Sequence, residues 1–185
     1  MRLSILTLPV LALAGAASAA NAQSTTATAG PFPVTGNVPA LCSGGTLTGT
    51  GTFPLGVLID TGTGLLRNDL AAPAQVLTSA FCTGQSTISI SATPLVSVNN
   101  TGTPPAGFSR TVNFTATAAG WTATPASFTT GAATNAAASQ IRDNAFQGDI
   151  TVSIGSFTTA GGNTLRLVSD PSYVGSVTVT LAAAN

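Results

Sequence analysis

Alternation of apolar with polar or hydroxyl-bearing residues along four segments restricts this chain to an all-β fold. The segments read STISISAT, TVNFTATA, DITVSI and YVGSVTVTLA. Successive side chains of a β-strand point to opposite faces, so a period of two in Val, Ile and Thr indicates strands with one buried face. Turn sequences rich in Gly, Asn, Asp and Pro separate them. We therefore predict an antiparallel β-sandwich, with a barrel as the alternative closure.

One segment departs from this alternation. Residues 135–146, NAAASQIRDNAF, are rich in Ala, which favours a helical turn or two. A long surface loop is the alternative. The segment is the one candidate helix that the sequence offers.

The amino terminus has the three parts of a secretory signal peptide. Met1-Arg2 supplies positive charge, an apolar run follows, and small residues end the segment at Ala22. Cleavage after Ala19 also fits, but we favour a mature start at Gln23. We expect a signal peptide over 1–22, an extended leader over 23–41 and the β-sandwich over 42–185. No later segment is long and apolar enough for a membrane span, so we expect a protein secreted through the periplasm to the cell surface.

The chain has two cysteines, Cys42 and Cys82. An exported chain meets an oxidising compartment, where paired thiols form disulfides. Two cysteines without any histidine make a poor zinc site, and a catalytic thiol lacks its base. We predict a structural disulfide that closes a loop of about 40 residues and contributes roughly 3–4 kcal/mol.

The composition excludes several classes of function. Five Lys and Arg balance five Asp and Glu, and there is no histidine. A nucleic-acid site or a polybasic membrane anchor needs clustered cations, which this chain lacks. A Ser-His-Asp triad cannot form. We predict neither an enzyme nor a cofactor or metal site. A net charge near zero permits self-association, and a monomeric secreted domain is the alternative.

Three segments together resemble the secreted pilin-like family of spore coat protein U and chaperone–usher pilus subunits. They are CSGGTLTGTGTFPLG at the first cysteine, CTGQSTISIS at the second, and the final YVGSVTVTLA. The resemblance implies an incomplete immunoglobulin-like sandwich whose missing strand comes from a neighbour. It also implies self-assembly or assembly with related subunits, a periplasmic chaperone and an outer-membrane usher.

On this reading the donor strand lies within residues 25–38, with Phe32, Val34 and Val38 as its apolar side chains. Pro31 and Pro33 each lack a backbone N–H. A monomer completed by its own leader is the alternative. The expected role is that of a structural or adhesive surface protein.

Two other functions stay open. Trp121, Phe128 and Tyr173 could stack sugars in a carbohydrate-binding module, although core packing is the more common use of aromatic residues. The string VLIDTGTG around Asp60 resembles an aspartic-protease loop, which would require a homodimer to pair two carboxylates. Asp-Thr-Gly is also an ordinary turn between strands.

Overall fold

A computed structural model describes residues 31–184 of the chain. The predicted signal peptide and the first part of the leader, residues 23–30, lie outside the described residues. Residues 31–37 belong to one unit and residues 38–184 to a second, which contains every strand. None of the helical structure in the described part has the length and hydropathy of a membrane-crossing segment.

The alternating segments form strands, and the fold is all-β. In chain order the strands are β1 (Cys42–Ser43), β2 (Thr46–Thr48), β3 (Gln75–Cys82), β4 (Ser86–Ser97), β5 (Phe108–Ser109), β6 (Thr111–Ala119), β7 (Ala126–Thr129), β8 (Ser139–Arg142), β9 (Phe146–Thr159), β10 (Arg166–Leu167) and β11 (Tyr173–Ala183). The four predicted strands correspond to β4, β6, β9 and β11, which confirms the sequence prediction.

Nine of these strands form one antiparallel sheet that curls into a sandwich-like arrangement. Its main order is β1-β3-β9-β6-β4-β11, while β2 pairs with β3, β7 with β6 and β8 with β4. The link between β6 and β4 consists of two residue pairs, Leu95 with Val112 and Val96 with Thr111. Away from this link β4 leaves β6 and pairs with β8 over Ser86–Ser89, while β11 pairs with the other edge of β4 along almost its whole length. The predicted antiparallel sandwich is confirmed, and its immunoglobulin-like detail stays a prediction.

The core lies between the two halves of the curled sheet. Its buried members are contributed mainly by β4, β6 and β9: Ile88, Ile90, Phe114, Ala116, Ala118, Ile150 and Val152. They occupy alternate positions of their strands, as a period of two requires. The small alanines of β6 allow the larger side chains of the neighbouring strands to approach.

The candidate helix at 135–146 is confirmed only as one short turn, and the rest of the segment is neither helix nor one long surface loop. Only Ala136–Ala138 form a single 3₁₀ turn, and the next residues form β8, which pairs with Ser86–Ser89 of β4. Pairing with an existing strand satisfies the backbone of β8 and overrides the modest helix preference of alanine.

Trp121 anchors the end of the core beside β8. It is fully buried, and its indole Nε1 donates to Ser86 Oγ at 3.2 Å. Phe146 meets it edge-on at 5.2 Å between ring centroids. The Arg142 guanidinium lies 3.5 Å from the centre of the Phe146 ring and donates to the Trp121 carbonyl. This tryptophan has a structural role and cannot offer a face to a sugar.

Candidate functional site

The edge of β11 that faces away from β4 is the candidate functional site, because no described strand pairs with it. We call it the open edge. On its other side β11 pairs with β4 along almost its whole length, from Tyr173 opposite Ser97 to Ala183 opposite Ser86. An edge strand of 11 residues presents a long row of unpaired backbone groups. Such a row is a template for pairing with another strand.

The inward face of β11 is only half-covered. Its odd-numbered side chains are all half-buried, and its even-numbered side chains are all exposed. Three of the inward residues, Val177, Val179 and Leu181, pack against the core without being enclosed by it. Apolar surface is therefore left at the open edge.

Gly175 interrupts this apolar row for a steric reason. It lies where the pairing shifts by one residue, opposite a bulge in β4. A Cβ atom on Gly175 would come within 2.7 Å of the Thr93 carbonyl oxygen. The glycine lets β11 follow the bulge while its inward alternation continues.

A cavity of about 580 Å³ opens at the start of β11. Its lining combines apolar residues, among them Leu55, Val57, Leu95 and Leu167, with the polar side chains of Asp170 and Tyr173. The start of β11 therefore adjoins a recess whose lining includes apolar side chains.

Asp170 fixes the corner from which β11 begins. Its carboxylate accepts hydrogen bonds from the Asn99 backbone at 2.7 Å, the Asn99 side chain at 2.8 Å and the Ser172 backbone at 2.9 Å. Ser97 Oγ and the Asn100 backbone also donate to it. The hydrogen bond from Ser97, followed by those from Ser172 and Asn99, holds the pKa of Asp170 well below its ordinary value. The end of β4 and the start of β11 are thus joined through one ionised carboxylate.

Tyr173 completes the same corner. Its hydroxyl donates to the Val168 carbonyl at 2.8 Å, five residues upstream. Partial burial, and secondarily the charge of Asp170, raises the pKa of the Tyr173 hydroxyl. The neutral hydroxyl is the form that donates this bond.

The disulfide lies near the opposite end of β11. Cys42 and Cys82 are bonded, as predicted, and face each other across β1 and β3 with Cα atoms 4.1 Å apart. β1 lies beside β11. Thr83 holds the adjoining chain, because its backbone N–H donates to Leu41 at 2.9 Å and its hydroxyl donates to Pro39 at 3.1 Å. The leader therefore joins the domain at a fixed point.

The predicted donor side chains are exposed and outside any strand. Phe32 is 82% exposed, Val34 98% and Val38 79%. Three large apolar side chains of one short segment are therefore mostly exposed. The leader's role as a donor strand stays a prediction.

Asp60, the proposed protease residue, closes its own turn. Its Oδ1 atom accepts from the backbone of Gly62 at 3.1 Å and of Thr63 at 2.8 Å, and from the Thr63 hydroxyl at 2.9 Å. The side-chain bond from Thr63, followed by the backbone bond, lowers the pKa of Asp60. This is the Asp-turn geometry that the Asp-Thr-Gly sequence also allowed. It does not favour the protease alternative.

The carbohydrate-binding alternative is not favoured, because its main candidate side chain is inaccessible. Trp121 is buried, while Phe128 and Tyr173 are only partly exposed and belong to β7 and β11. No group of three potential metal ligands occurs among residues 31–184. The sequence analysis did not predict that Asp170 and its partners form a cluster, since the only sequence signals there were the Asp-Pro and Asn-Asn turns.

No family model, curated protein or solved structure matches this chain.

Proposed function

We propose that this protein is a secreted structural or adhesive subunit of the cell surface that accepts a β-strand from a neighbouring subunit along the open edge of β11. The observation that carries the proposal is the half-burial of every inward side chain of β11. An added strand would pair with the unpaired backbone and cover Val177, Val179 and Leu181. Strand addition combines backbone hydrogen bonds with side-chain pockets in this way.

The leader supports the proposal as the source of the added strand. Its exposed Phe32, Val34 and Val38 are spaced by two, or by a multiple of two, and so share one face of an extended strand. Burying a Phe or Val side chain contributes about 1.5–3 kcal/mol each. The leader therefore has apolar side chains to bury, and β11 has an apolar face to cover.

The corner at Tyr173 supports an immunoglobulin-like form of the sandwich. A tyrosine near the start of a late strand, bonded through its hydroxyl to a backbone group a few residues upstream, is a hallmark of that architecture. Tyr173 and Val168 have this relationship. The resemblance to spore coat protein U and pilus subunits points the same way.

Neutral composition favours assembly between identical chains. The formal net charge is zero, so copies repel one another little. During export an open apolar edge risks aggregation. A periplasmic chaperone that covers the edge, and an outer-membrane usher that releases it, would meet this need.

Two complementary variants test the proposal. The first lacks residues 23–38 and keeps the open edge. The second, Val177→Pro, keeps the leader but removes a backbone N–H from β11. We expect each variant alone to be monomeric by light scattering, because each lacks one half of the contact. Mixed in equal amounts they should form dimers and nothing larger, while the unaltered protein forms longer assemblies.

Circular dichroism should show the same strand content in both variants, which separates loss of assembly from loss of folding. An unaltered protein that stays monomeric at high concentration would contradict the proposal. Dimers formed by the deletion variant alone would also contradict it, since that variant has no strand to donate.

A further inference from the structure

We propose that the cavity at the start of β11 binds an organic quaternary ammonium group that carries an apolar substituent. This binding is a function separate from strand addition, and it does not depend on the proposed assembly. Two parts of the chain build the wall that carries the argument. The loop between β2 and β3 supplies Phe53, Leu55 and Val57, and the segment that leads into β11 supplies Asp170 and Tyr173.

The size and lining of the cavity suit a small organic ligand. Its volume is about 580 Å³, and ligand-binding cavities usually measure about 300–1,000 Å³. Aliphatic side chains from separate parts of the chain, Leu55, Leu95 and Leu167, form much of the wall. Such a site holds the apolar part of a ligand by burying it and selects among ligands through a few polar groups. The charge in the wall therefore decides which ligands bind.

The charge of this wall is negative. Asp170 and Tyr173 are the ionisable groups among the described lining residues, and only Asp170 is charged at neutral pH. Hydrogen bonds hold the pKa of this carboxyl well below its ordinary value, so it stays ionised. Within residues 31–184 the one ion pair joins Arg67 to Asp69, so no arginine neutralises Asp170. The wall therefore favours a cation over a neutral or an anionic ligand.

The hydrogen-bonding capacity of Asp170 is already used within the protein. Its Oδ2 atom accepts from Ser97 Oγ and from the backbone N–H groups of Asn99 and Asn100. Its Oδ1 atom accepts from the Asn99 side chain and the Ser172 backbone. A carboxylate offers about four lone-pair positions, and these donors fill them. Asp170 thus supplies charge to the cavity without a free hydrogen-bond acceptor.

This saturation separates two kinds of cation. A primary ammonium group has N–H donors that lose their hydrogen bonds to water on burial unless acceptors replace them. A quaternary ammonium group has no N–H and requires only opposite charge and contact surface. Aromatic rings supply such contact through cation–π attraction, and Phe53 and Tyr173 both line the cavity. A saturated carboxylate, two rings and aliphatic walls together match a quaternary ammonium ligand.

The test compares three ligands that share a hexyl chain: hexyltrimethylammonium, hexylammonium and hexan-1-ol. Calorimetric titration of the unaltered protein measures each Kd. Tyr173 is the only tyrosine of the chain, so incorporation of fluorotyrosine gives a single fluorine NMR signal at the cavity. A ligand-induced shift of this signal localises the binding.

We expect hexyltrimethylammonium to shift the fluorine signal and to bind about tenfold more tightly than either other ligand. Equally tight binding of hexan-1-ol would overturn recognition of charge. Equally tight binding of hexylammonium would overturn the preference for a quaternary group. Absence of binding, or binding that leaves the fluorine signal unmoved, would overturn the site itself.

Two pairs of variants test the wall. Asp170→Asn removes the charge at the cavity, and Asp143→Asn removes an equal charge outside its lining. Tyr173→Leu removes an aromatic ring, and Tyr173→Phe keeps it. We expect Asp170→Asn to weaken hexyltrimethylammonium binding about tenfold and Tyr173→Leu about threefold or more.

The two control variants should bind like the unaltered protein. Unchanged affinity of Asp170→Asn for hexan-1-ol would show that its cavity is still formed. Equal effects of the two aspartate changes would contradict the proposal. If Asp170→Asn does not fold, the ligand series and the pair of changes at Tyr173 decide, and equal affinities of that pair would contradict the role of the ring.

Discussion

β6 and β11 carry the same kind of alternating sequence and end in different environments. In β6 the inward positions Val112, Phe114, Ala116 and Ala118 are all buried. In β11 the inward positions are all half-buried, although the apolar residues are of similar kind. The difference cannot come from alternation, which both strands share.

The number of neighbouring strands explains the contrast. β6 lies between β9 on one side and β7 and β4 on the other. Among the described strands, β11 pairs with β4 alone. Alternation predicts which face of a strand is inward, but the burial of that face depends on a second neighbour.

Removing the disulfide should have the largest effect on this contrast. Replacing Cys42 and Cys82 by serine should lower the free energy of unfolding by about 3–4 kcal/mol, because the unfolded chain regains loop entropy. Chemical denaturation measures this loss. Hydrogen exchange should rise more in β1 and the adjoining β11 than in β6, since the bond joins β1 to β3 and β1 lies beside β11. Equal increases along β6 and β11 would contradict that view.

A matched pair of valines tests the contrast directly. Val112→Ala in β6 removes fully buried methyl groups and should cost about 2 kcal/mol of unfolding free energy. Val179→Ala in β11 should cost less than about 1 kcal/mol, because its side chain is half-exposed. Denaturant titration of both variants measures the difference.

The ranking should reverse when assembly is measured. Val179→Ala should weaken association because an added strand covers that side chain. Val112→Ala should leave association unchanged wherever the variant is folded. A larger loss of stability at Val179 than at Val112 would mean that β11 is already covered.

The corner that starts β11 should lose stability in acid. The pKa of Asp170 is lowered in the folded protein, so its contribution to stability is complete at neutral pH. That contribution falls as the pH drops below about 4, toward the lower folded pKa. Thermal unfolding between pH 7 and pH 2 should show a steeper acid loss in the unaltered protein than in Asp170→Asn. Parallel curves would assign the acid sensitivity to other carboxylates.

The alternation of apolar and polar residues, together with the turn sequences, was sufficient to predict the class of fold. Four strands, the disulfide and the inward face of β11 followed from period and composition alone. The candidate helix at 135–146 formed only one short turn because the pairing of Ser139–Arg142 with β4 depends on residues about 50 positions earlier in the chain. Local preference contains no information about such a partner.

The candidate site was predictable only in part. Phe32, Val34 and Val38 stood out as the apolar positions of the leader, and the resemblance to pilin-like subunits suggested a missing strand. The position of the open edge follows from sheet order, which brings β11 beside β4 and no other described strand. Asp170 gathers donors from about 70 residues earlier, a contact that no short motif records.

The smallest expected effect lies in the hydroxyl of Tyr173. Tyr173→Phe removes the bond to Val168 and leaves a partly buried carbonyl without that donor, which should cost about 1 kcal/mol. Because the ring remains, β11 should keep its register while its first residues exchange amide hydrogens faster. Hydrogen exchange compared with β6 in the same variant measures this. A uniform change in both strands would show that Tyr173 supports the whole sandwich rather than the start of its open edge.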